Sequence, residues 1–371
     1  MILIKTNRDT LLKPLQIVTG IVERRHTLPI LSNVLIKQDK DKVSFLATDL
    51  EIQIETSTKD FQPSDQTYSI TVSAKKFQDI LRAFPADLEV TLLLQDSRLQ
   101  IKIGKSSFNL QVLPAEDFPK IAEETAPETK ITIQQKELKT LLHHVQFAIA
   151  QQDIRYYLNG LLLLIEKTSL KAVATDGHRL SYMAINLDKS KDKKEIILPR
   201  KTVLELSKQL NDNEDPVTIE FFQNKIRFTF ADIVMISKVI DGKFPDYNRV
   251  IPTENFRKFD LDRLTFLQAL QRVSILSNLN EKFRGVRFVI TNGILRILCK
   301  NNEQEEAQEE LEIQYNDEEI DISFNITYLL DLLNNLNCKT IQCAFKDANN
   351  SVLITTLENE EFKYIVMPMR I

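Results

Sequence analysis

The chain has 371 residues, 43% apolar and 27% charged, a composition typical of folded globular proteins rather than of disordered or fibrous ones. Its longest apolar run, 161–165, is far shorter than the roughly 20 residues that span a membrane, and the first residues lack the features of a secretory signal. Three cysteines form a sparse, odd set, which predicts a reducing and therefore cytoplasmic location. A net charge of −4 argues against a nucleic-acid partner only if the charge is evenly spread.

In chain order, a helix is predicted over 6–25, and strand-like segments follow it, including Phe45-Leu-Ala-Thr-Asp49. The same pattern returns further along as Ala172-Val-Ala-Thr-Asp176, so that Asp176 corresponds to Asp49. Phe283-Arg-Gly-Val-Arg287 occupies the corresponding place in a third copy, at a similar interval after Gly160. The chain is therefore predicted to consist of three repeats of about 126 residues.

A second marker has the same spacing. Three helix-like segments begin at Ser73, Pro199 and Asn325, which follow one another at the repeat interval. Ser73 and Asn325 are residue types that cap helix N-termini. Between the helices, stretches such as 218–222 and 225–230 alternate in polarity as strands do.

These patterns predict an α+β fold of three repeated domains, each with two helices packed on antiparallel sheet. Polar connecting segments place the domain boundaries, giving a first domain over 1–125, a central domain over 130–252 and a third domain over 253–371.

The positive charge is concentrated in the predicted helices. The helical segments 6–25, 73–84, 134–149, 199–210, 261–278 and 324–337 sum to +7, so the remainder of the chain carries −11. For any single basic helix a solvated surface is the better explanation, but five of the six share the sign, which favours a common function. If the helices line one surface, that surface attracts phosphates in a way that does not depend on base sequence.

No catalytic motif is found. Gly104-Lys-Ser106 has Leu99 where a phosphate-binding loop needs its first glycine. His178 has no nucleophile at a recognisable spacing, and Cys338 and Cys343 lack the spacing of metal ligands. We therefore expect no catalytic residue, no metal and no cofactor.

Six segments resemble the beta subunit of bacterial DNA polymerase III, the beta sliding clamp family, along the whole chain and in the family's order. They are Thr27-Leu-Pro-Ile-Leu-Ser-Asn33, Gln152-Asp-Ile-Arg-Tyr-Tyr-Leu-Asn-Gly160, Ala174-Thr-Asp-Gly-His-Arg-Leu180, Asp241-Gly-Lys-Phe-Pro-Asp-Tyr247, Glu281-Lys-Phe-Arg-Gly-Val-Arg287 and Met367-Pro-Met-Arg-Ile371. The resemblance implies a head-to-tail homodimer whose six domains form a ring around double-stranded DNA, with the helices facing the hole.

The resemblance also implies three sets of contact residues. Those implied for DNA are Arg24, Lys75, Gln152, Tyr156, Tyr157, Arg200 and Lys201. At the dimer interface, Phe108 and Leu110 are implied to meet Ile275 and Leu276 of the second copy, with Lys105 near the acidic segment 303–310. A peptide-binding cleft for the replicative polymerase subunit, the clamp loader and other proteins with clamp-binding motifs is implied at Arg155, Leu158, Thr175, Gly177, His178, Arg179, Leu180, Pro245, Arg249, Val250, Asn325, Tyr328, Met367, Pro368, Met369 and Arg370.

Two departures from the family pattern concern the segment 277–281, which is two residues longer, and Ile371, where leucine is common. Two other functions share some of these features. One is a peptide-binding adaptor on the same scaffold that does not encircle DNA, and the other is a nucleic-acid-processing enzyme with an unrecognised site. Retention on circular DNA distinguishes all three.

Overall fold

The computed structural model describes residues 2–23, 28–39, 41–59, 61, 67–122, 126–277 and 285–370. Arg24, most of the segment 277–281 and Ile371 therefore lie outside the described residues. The chain forms two compact units, each described by itself: Met1–Leu138 with Leu204–Val239, and Lys139–Val203 with Ile240–Ile371. Within the described ranges no helix has the length and apolar character needed to cross a bilayer.

In the described ranges, six α-helices form where the sequence predicts them. They are α1 (Arg8–Thr19), α2 (Ala74–Arg82), α3 (Gln135–His143), α4 (Arg200–Gln209), α5 (Arg263–Val273) and α6 (Ile326–Asn335). With 9 to 12 residues each, they are shorter than the predicted segments. At 1.5 Å per residue they are about 14 to 18 Å long.

The first unit is built on one twelve-stranded sheet, in which every pair of neighbours is antiparallel. Its strands are β1 (Ile2–Asn7), β2 (Asn33–Asp39), β3 (Lys42–Thr48), β4 (Ile52–Thr58), β5 (Tyr68–Ser73), β6 (Glu89–Gln95), β7 (Arg98–Ile103), β8 (Ser106–Leu113), β9 (Thr129–Gln134), β12 (Pro216–Phe221), β13 (Lys225–Phe230) and β14 (Ile233–Lys238), with β10 and β11 in the second unit. Their spatial order is β1-β6-β7-β8-β5-β2-β3-β4-β14-β13-β12-β9.

Helices α1 and α2 cover this sheet through an apolar face. Leu11, Leu15 and Val18 of α1 are buried at helical spacing, and so are Phe77 and Leu81 of α2. The basic residues of α2, Lys75, Lys76 and Arg82, lie before and after these two positions and stay exposed. The helices therefore bury one face against the sheet and leave a charged face outward.

The second unit contains a six-stranded sheet in the order β10-β11-β22-β21-β20-β15 and a four-stranded sheet in the order β18-β17-β16-β19. Its strands are β10 (Gly160–Thr175), β11 (Arg179–Pro199), β15 (Arg257–Asp262), β16 (Gly285–Thr291), β17 (Ile294–Lys300), β18 (Glu306–Glu312), β19 (Ile320–Asn325), β20 (Thr340–Phe345), β21 (Val352–Thr356) and β22 (Lys363–Val366). Helix α5 packs on the smaller sheet, where the ring of Phe266 lies 5.9 Å from that of Phe288.

The repeat is visible in individual hydrogen bonds. After β3, the Thr48 hydroxyl donates to the Ile52 carbonyl (2.8 Å), and Asp49 Oδ1 accepts from the Ile52 backbone N–H (2.7 Å). After β10, the Thr175 hydroxyl donates to the Arg179 carbonyl (2.6 Å), and Asp176 Oδ1 accepts from the Arg179 N–H (3.1 Å). The two turns therefore have the same hydrogen-bond pattern at equivalent points of the first and second repeats. The predicted α+β fold of repeated domains is confirmed.

Candidate functional site

A cavity of about 170 Å³ opens in the second unit. Ten of the sixteen residues assigned to the cleft from the sequence line it: Arg155, Leu158, Thr175, Gly177, His178, Arg179, Leu180, Pro245, Val250 and Met367. They come from four separate parts of the chain, so the fold is what brings them together.

Four further residues line the cavity that sequence reasoning did not assign to it: Tyr157, Phe244, Tyr247 and Ile365. All four belong to or pack against one buried apolar cluster, in which the rings of Tyr182 and Tyr247 lie 5.9 Å apart. Phe244 and Tyr247 lie within the quoted segment 241–247, so that motif contained the signal. The cavity is therefore more apolar and more aromatic than predicted.

Six predicted cleft residues do not line the cavity: Arg249, Asn325, Tyr328, Pro368, Met369 and Arg370. The Asn325 side chain caps α6 by accepting from the Thr327 N–H at 3.0 Å. The Arg249 side chain is 85% exposed and pairs with Asp246 (Nε–Oδ2 3.0 Å). The C-terminal segment after β22 is held by backbone hydrogen bonds from Met367 N–H to the His178 carbonyl (2.9 Å) and from Met369 N–H to the Ser323 carbonyl (2.8 Å).

The turn between β10 and β11 forms one wall of the cavity. Gly177 has a φ of +90°, a conformation that L side chains rarely adopt. A Cβ at this position would lie 2.9 Å from Arg155 Nη2 and 3.1 Å from Nη1. Glycine here therefore serves both the turn and the close approach of the Arg155 guanidinium.

Arg179 is a buried structural residue, here called a strut, whose hydrogen bonds go to its own chain rather than to a ligand. Its guanidinium donates to Asp176 Oδ2 from Nε (3.1 Å), to Asp331 Oδ2 from Nη1 (2.7 Å) and to the Phe147 carbonyl from Nη2 (2.8 Å). It also lies over the Tyr328 ring, with Cζ 4.4 Å from the centroid. Burial opposes its charge, but Tyr364 and the two carboxylates raise the pKa of Arg179 above the usual range. The sequence assigned it as a polar anchor, whereas the structure uses its donors to join α6 to the turn.

Arg155 is held at the cavity by an aspartate two residues before it. Its Nε and Nη2 donate to Asp153 Oδ1 (3.0 Å) and Oδ2 (2.9 Å), and its backbone N–H donates to Oδ1 (2.8 Å). These hydrogen bonds lower the pKa of Asp153 to about 2. The Asp153 backbone is itself fixed by Asn159, whose side chain accepts from the Asp153 N–H and donates to its carbonyl.

The arrangement does not suit catalysis. His178 is exposed, and Asp176 Oδ1 accepts from its backbone N–H (2.9 Å) rather than from its ring. Within the described residues, no group of His, Cys, Asp and Glu could hold a metal ion. What the cavity offers is an apolar trough with fixed donors at its edge, a geometry for holding a short peptide.

The DNA-contact candidates lie in both units. Lys75 is exposed at the start of α2 in the first unit, and Gln152 and Tyr156 are exposed in the second, Tyr156 by 59%. Arg200 and Lys201 begin α4 and are half-buried, and burial together with nearby Arg179 lowers the pKa of Arg200. Tyr157 lines the cavity described above.

The dimer-contact candidates lie on β8 and in a turn. Phe108 and Leu110 are on β8, half-buried, and the Phe108 ring meets Phe84 edge-on at 6.0 Å. Ile275 is 77% exposed, and both it and the half-buried Leu276 lie in the turn after α5. Part of the acidic segment is already neutralised within the chain, by pairs from Lys300 to Glu306 (2.7 Å), Arg272 to Glu309 (2.6 Å) and Arg296 to Glu310 (2.9 Å).

Fold and site together define a clamp-type protein, with helices over antiparallel sheets in repeated domains and an apolar peptide-sized cavity. Comparison with known proteins gives the family. Models of the DNA polymerase III beta subunit match three consecutive segments: the N-terminal domain over residues 2–122, the central domain over 132–246 and the C-terminal domain over 248–370.

Individual relatives agree. The beta sliding clamp of Pseudomonas aeruginosa is 41% identical over 365 residues, and that of Escherichia coli K12 is 40% identical over 364 residues, each match covering 98% of both chains. The crystal structure of a P. aeruginosa sliding clamp bound to griselimycin has a TM-score of 0.95 at 40% identity, covering 100% of both chains. The chain belongs to the DNA polymerase III beta subunit family, as its sequence motifs predicted.

Proposed function

We propose that two copies of this chain close head to tail into a ring around duplex DNA and tether the replicative polymerase through the cavity of the second unit. The chain is a sliding clamp and a non-catalytic processivity factor. Its work in DNA replication places it in the cytoplasm. The main support for a ring is the strand pairing at the junctions between consecutive repeats.

Two such junctions lie inside the chain. In the first unit, β14 pairs with β4, with Ile236 opposite Gln53. In the second unit, β22 pairs with β11, with Ile365 opposite Leu180. Gln53 and Leu180 each lie four residues after the aspartate of the shared turn, so the two junctions are equivalent. In both, the last strand of one repeat extends the sheet of the repeat before it.

A third junction has both its strands but no partner within the described part of the chain. Strand β8 ends the first repeat. One side of it pairs with β7, whereas the other side pairs with β5 only at Val112 and Leu113, so residues 106–111 have a free backbone edge on that side. Strand β18 of the third repeat is the edge of the four-stranded sheet. Exposed strand edges invite pairing with another chain. Repeating the internal register predicts Asn109, the equivalent of Ile236, opposite Glu306 of a second copy, and two such contacts would close a dimer.

The charge of the helices supports DNA as the ligand that the proposed ring encloses. Over their observed bounds, the six helices carry twelve Lys and Arg against five Asp and Glu, a net +7, while the remaining residues carry −11. Five of the six are net positive, as the sequence predicted from longer segments. A surface lined by these helices would bind phosphates without reading bases, which is what sliding requires. Among the DNA candidates, Lys75, Gln152 and Tyr156 have the exposure that this role needs.

The lining of the cavity supports the proposal that partner proteins bind to the clamp through a short apolar peptide. We assign peptide binding to the ten predicted lining residues together with Tyr157, Phe244, Tyr247 and Ile365. Pro368, Met369 and Arg370 follow directly after Met367 in the chain, and we propose that a bound peptide contacts them beyond the cavity. The polymerase subunit, the clamp loader and other proteins with clamp-binding motifs are the proposed partners.

Retention on circular DNA tests the proposal. The protein is loaded by a clamp loader onto nicked circular DNA, washed in high salt and then exposed to a nuclease that linearises the circle. A ring stays bound through the wash, because closure rather than charge holds it, and slides off after linearisation. A peptide-binding adaptor that does not encircle DNA would be lost in the wash, and that result would reject the ring.

A further inference from the structure

Each of the two arginines that line the cavity faces a carboxylate of its own chain. Arg155 meets Asp153, and Arg179 meets Asp176 and Asp331. No carboxylate residue is among those that line the cavity in the part of the chain described here. The carboxylates therefore pair with the arginines without being part of the cavity lining.

The pair of Asp153 and Arg155 is the more open of these arrangements. The Arg155 side chain is 46% exposed and that of Asp153 is 21% exposed, so a docked ligand can reach the guanidinium more easily than the carboxylate. Two of the three guanidinium nitrogens are engaged by Asp153, and Nη2 also donates to the Asp176 carbonyl at 3.3 Å. The Asn159 side chain bonds only the backbone of Asp153, so these two hydrogen bonds do not depend on the Asp153 carboxylate.

We propose that Asp153 is a specificity-determining residue of the cleft, which keeps the Arg155 wall neutral so that the cavity selects apolar peptides and gains little from acidic ones. This inference rests on the proposed peptide-binding function. A bidentate carboxylate cancels most of the field of a guanidinium at the distance of a bound side chain. Removing that charge while keeping the Oδ1 acceptor for the backbone N–H and Nε of Arg155 would hold Arg155 in place and make the wall cationic.

Asp153→Asn makes this change with minimal loss of shape, since an asparagine oxygen still accepts from Arg155. Two capped synthetic peptides of equal length serve as probes, one of leucine, phenylalanine and glutamine, the other with glutamate in place of the glutamine. Calorimetry on the full-length protein should give nearly equal affinities for the unmodified chain. In Asp153→Asn the glutamate peptide should bind about fivefold more tightly than the glutamine peptide at low salt. The preference should shrink near 1 M salt, where the screening length is about 3 Å.

Two variants control this measurement. Asp246→Asn removes the same charge from the Arg249 pair, which lies outside the cavity lining, so it should leave the two affinities equal. Asp153→Glu keeps the charge and should keep the original lack of preference. A structural role for Asp153 would lower both affinities together and cannot produce a gain for one peptide.

The outcomes separate the two claims. If the unmodified chain binds neither peptide, the proposed peptide-binding function fails and the inference fails with it. If it binds both, but Asp153→Asn shows no glutamate preference or shows the same preference as Asp246→Asn, only the role of Asp153 is rejected. Should Asp153→Asn not fold, Asp153→Ser allows the same comparison.

Discussion

Gly177 shows how one residue can serve both the fold and the site. Its φ of +90° and the nearness of the Arg155 guanidinium predict two separate penalties for a Cβ. Gly177→Ala should lose about 1 to 2 kcal/mol of unfolding free energy from backbone strain. It should also weaken peptide binding, because the new methyl group displaces Arg155. Denaturant unfolding and peptide calorimetry measure the two effects.

The chain offers a matched control for this substitution. Gly104 has a φ of +57° but no neighbouring atom within 4 Å of a built Cβ. Gly104→Ala should therefore lose stability from strain alone and bind peptide as the unmodified protein does. Wild-type peptide affinity in Gly177→Ala would mean that the Arg155 position does not depend on this glycine.

Arg179 and Arg249 carry the same charge in opposite environments. Replacing Arg179 by Ala removes all its donors and leaves the Asp176 and Asp331 carboxylates facing a buried gap, so we expect a loss of about 3 kcal/mol. Arg249→Ala breaks an exposed pair and should cost less than about 0.5 kcal/mol. Urea unfolding compares them. Equal losses would contradict the assignment of Arg179 as a strut. The sequence placed both at the cleft, because residue type alone does not reveal which guanidinium is already engaged.

At the scale of elements, helix caps give a direct comparison. Ser73 and Asn325 occupy equivalent N-cap positions in the first and third repeats, and both were predicted as caps. Only the Asn325 side chain makes the capping hydrogen bond, whereas Ser73 makes none. Asn325→Ala should therefore destabilise the protein by about 1 kcal/mol, while Ser73→Ala should be nearly neutral. Thermal unfolding of both variants tests this, and a larger loss in Ser73→Ala would be the contrary result.

The helices also show where sequence reasoning reached its limit. Their number and order followed from the sequence, but their lengths were overestimated. The reason is local: α3 and α5 are followed by short 3₁₀ turns, in which the buried Ala148 and the half-buried Leu276 continue the apolar pattern. Periodicity does not distinguish a continuing helix from a tighter turn that buries the same side. Asp49 and Asp176 were found from the sequence only as matching positions of the repeat, and the structure adds the turn hydrogen bonds that they share.

At the scale of the whole molecule, the repeats were predictable but the sheets that join them were not. Strands β4 and β14 pair, with Ile233 opposite Thr56, although more than a full repeat of chain separates them, and no local pattern specifies such a partner. For the same reason the two compact units do not follow the three repeats. Ile365 joins the cavity through long-range packing of this kind and was missed for that reason, whereas Phe244 and Tyr247 lie in the motif 241–247 and were overlooked there. The proposed domain bounds of 1–125, 130–252 and 253–371 remain a prediction.

The same pairing rule leads to a prediction about assembly. Ile275 is 77% exposed, and the turn that carries it lies next to β17, the neighbour of the open edge strand β18. Burial of Ile275 and Leu276 against Phe108 and Leu110 of a second copy would contribute about 1.5 to 3 kcal/mol for each side chain that becomes buried. Ile275→Asp with Leu276→Asp should therefore raise the dimer dissociation constant by at least about a hundredfold. Sedimentation velocity over a concentration series measures it.

Leu357 provides the control for that experiment. It is also an exposed apolar residue, at 57%, but it follows β21 of the six-stranded sheet, whereas β18 belongs to the four-stranded sheet. Leu357→Asp should leave the dimer intact, because loss of a solvent-exposed leucine removes no contact between copies. The monomers formed by the Ile275 and Leu276 variant should still bind the glutamine peptide, since the cavity lies within one unit, but should no longer remain on circular DNA. An undiminished dimer in that variant, or dissociation by Leu357→Asp as well, would mean that the two copies meet through other surfaces.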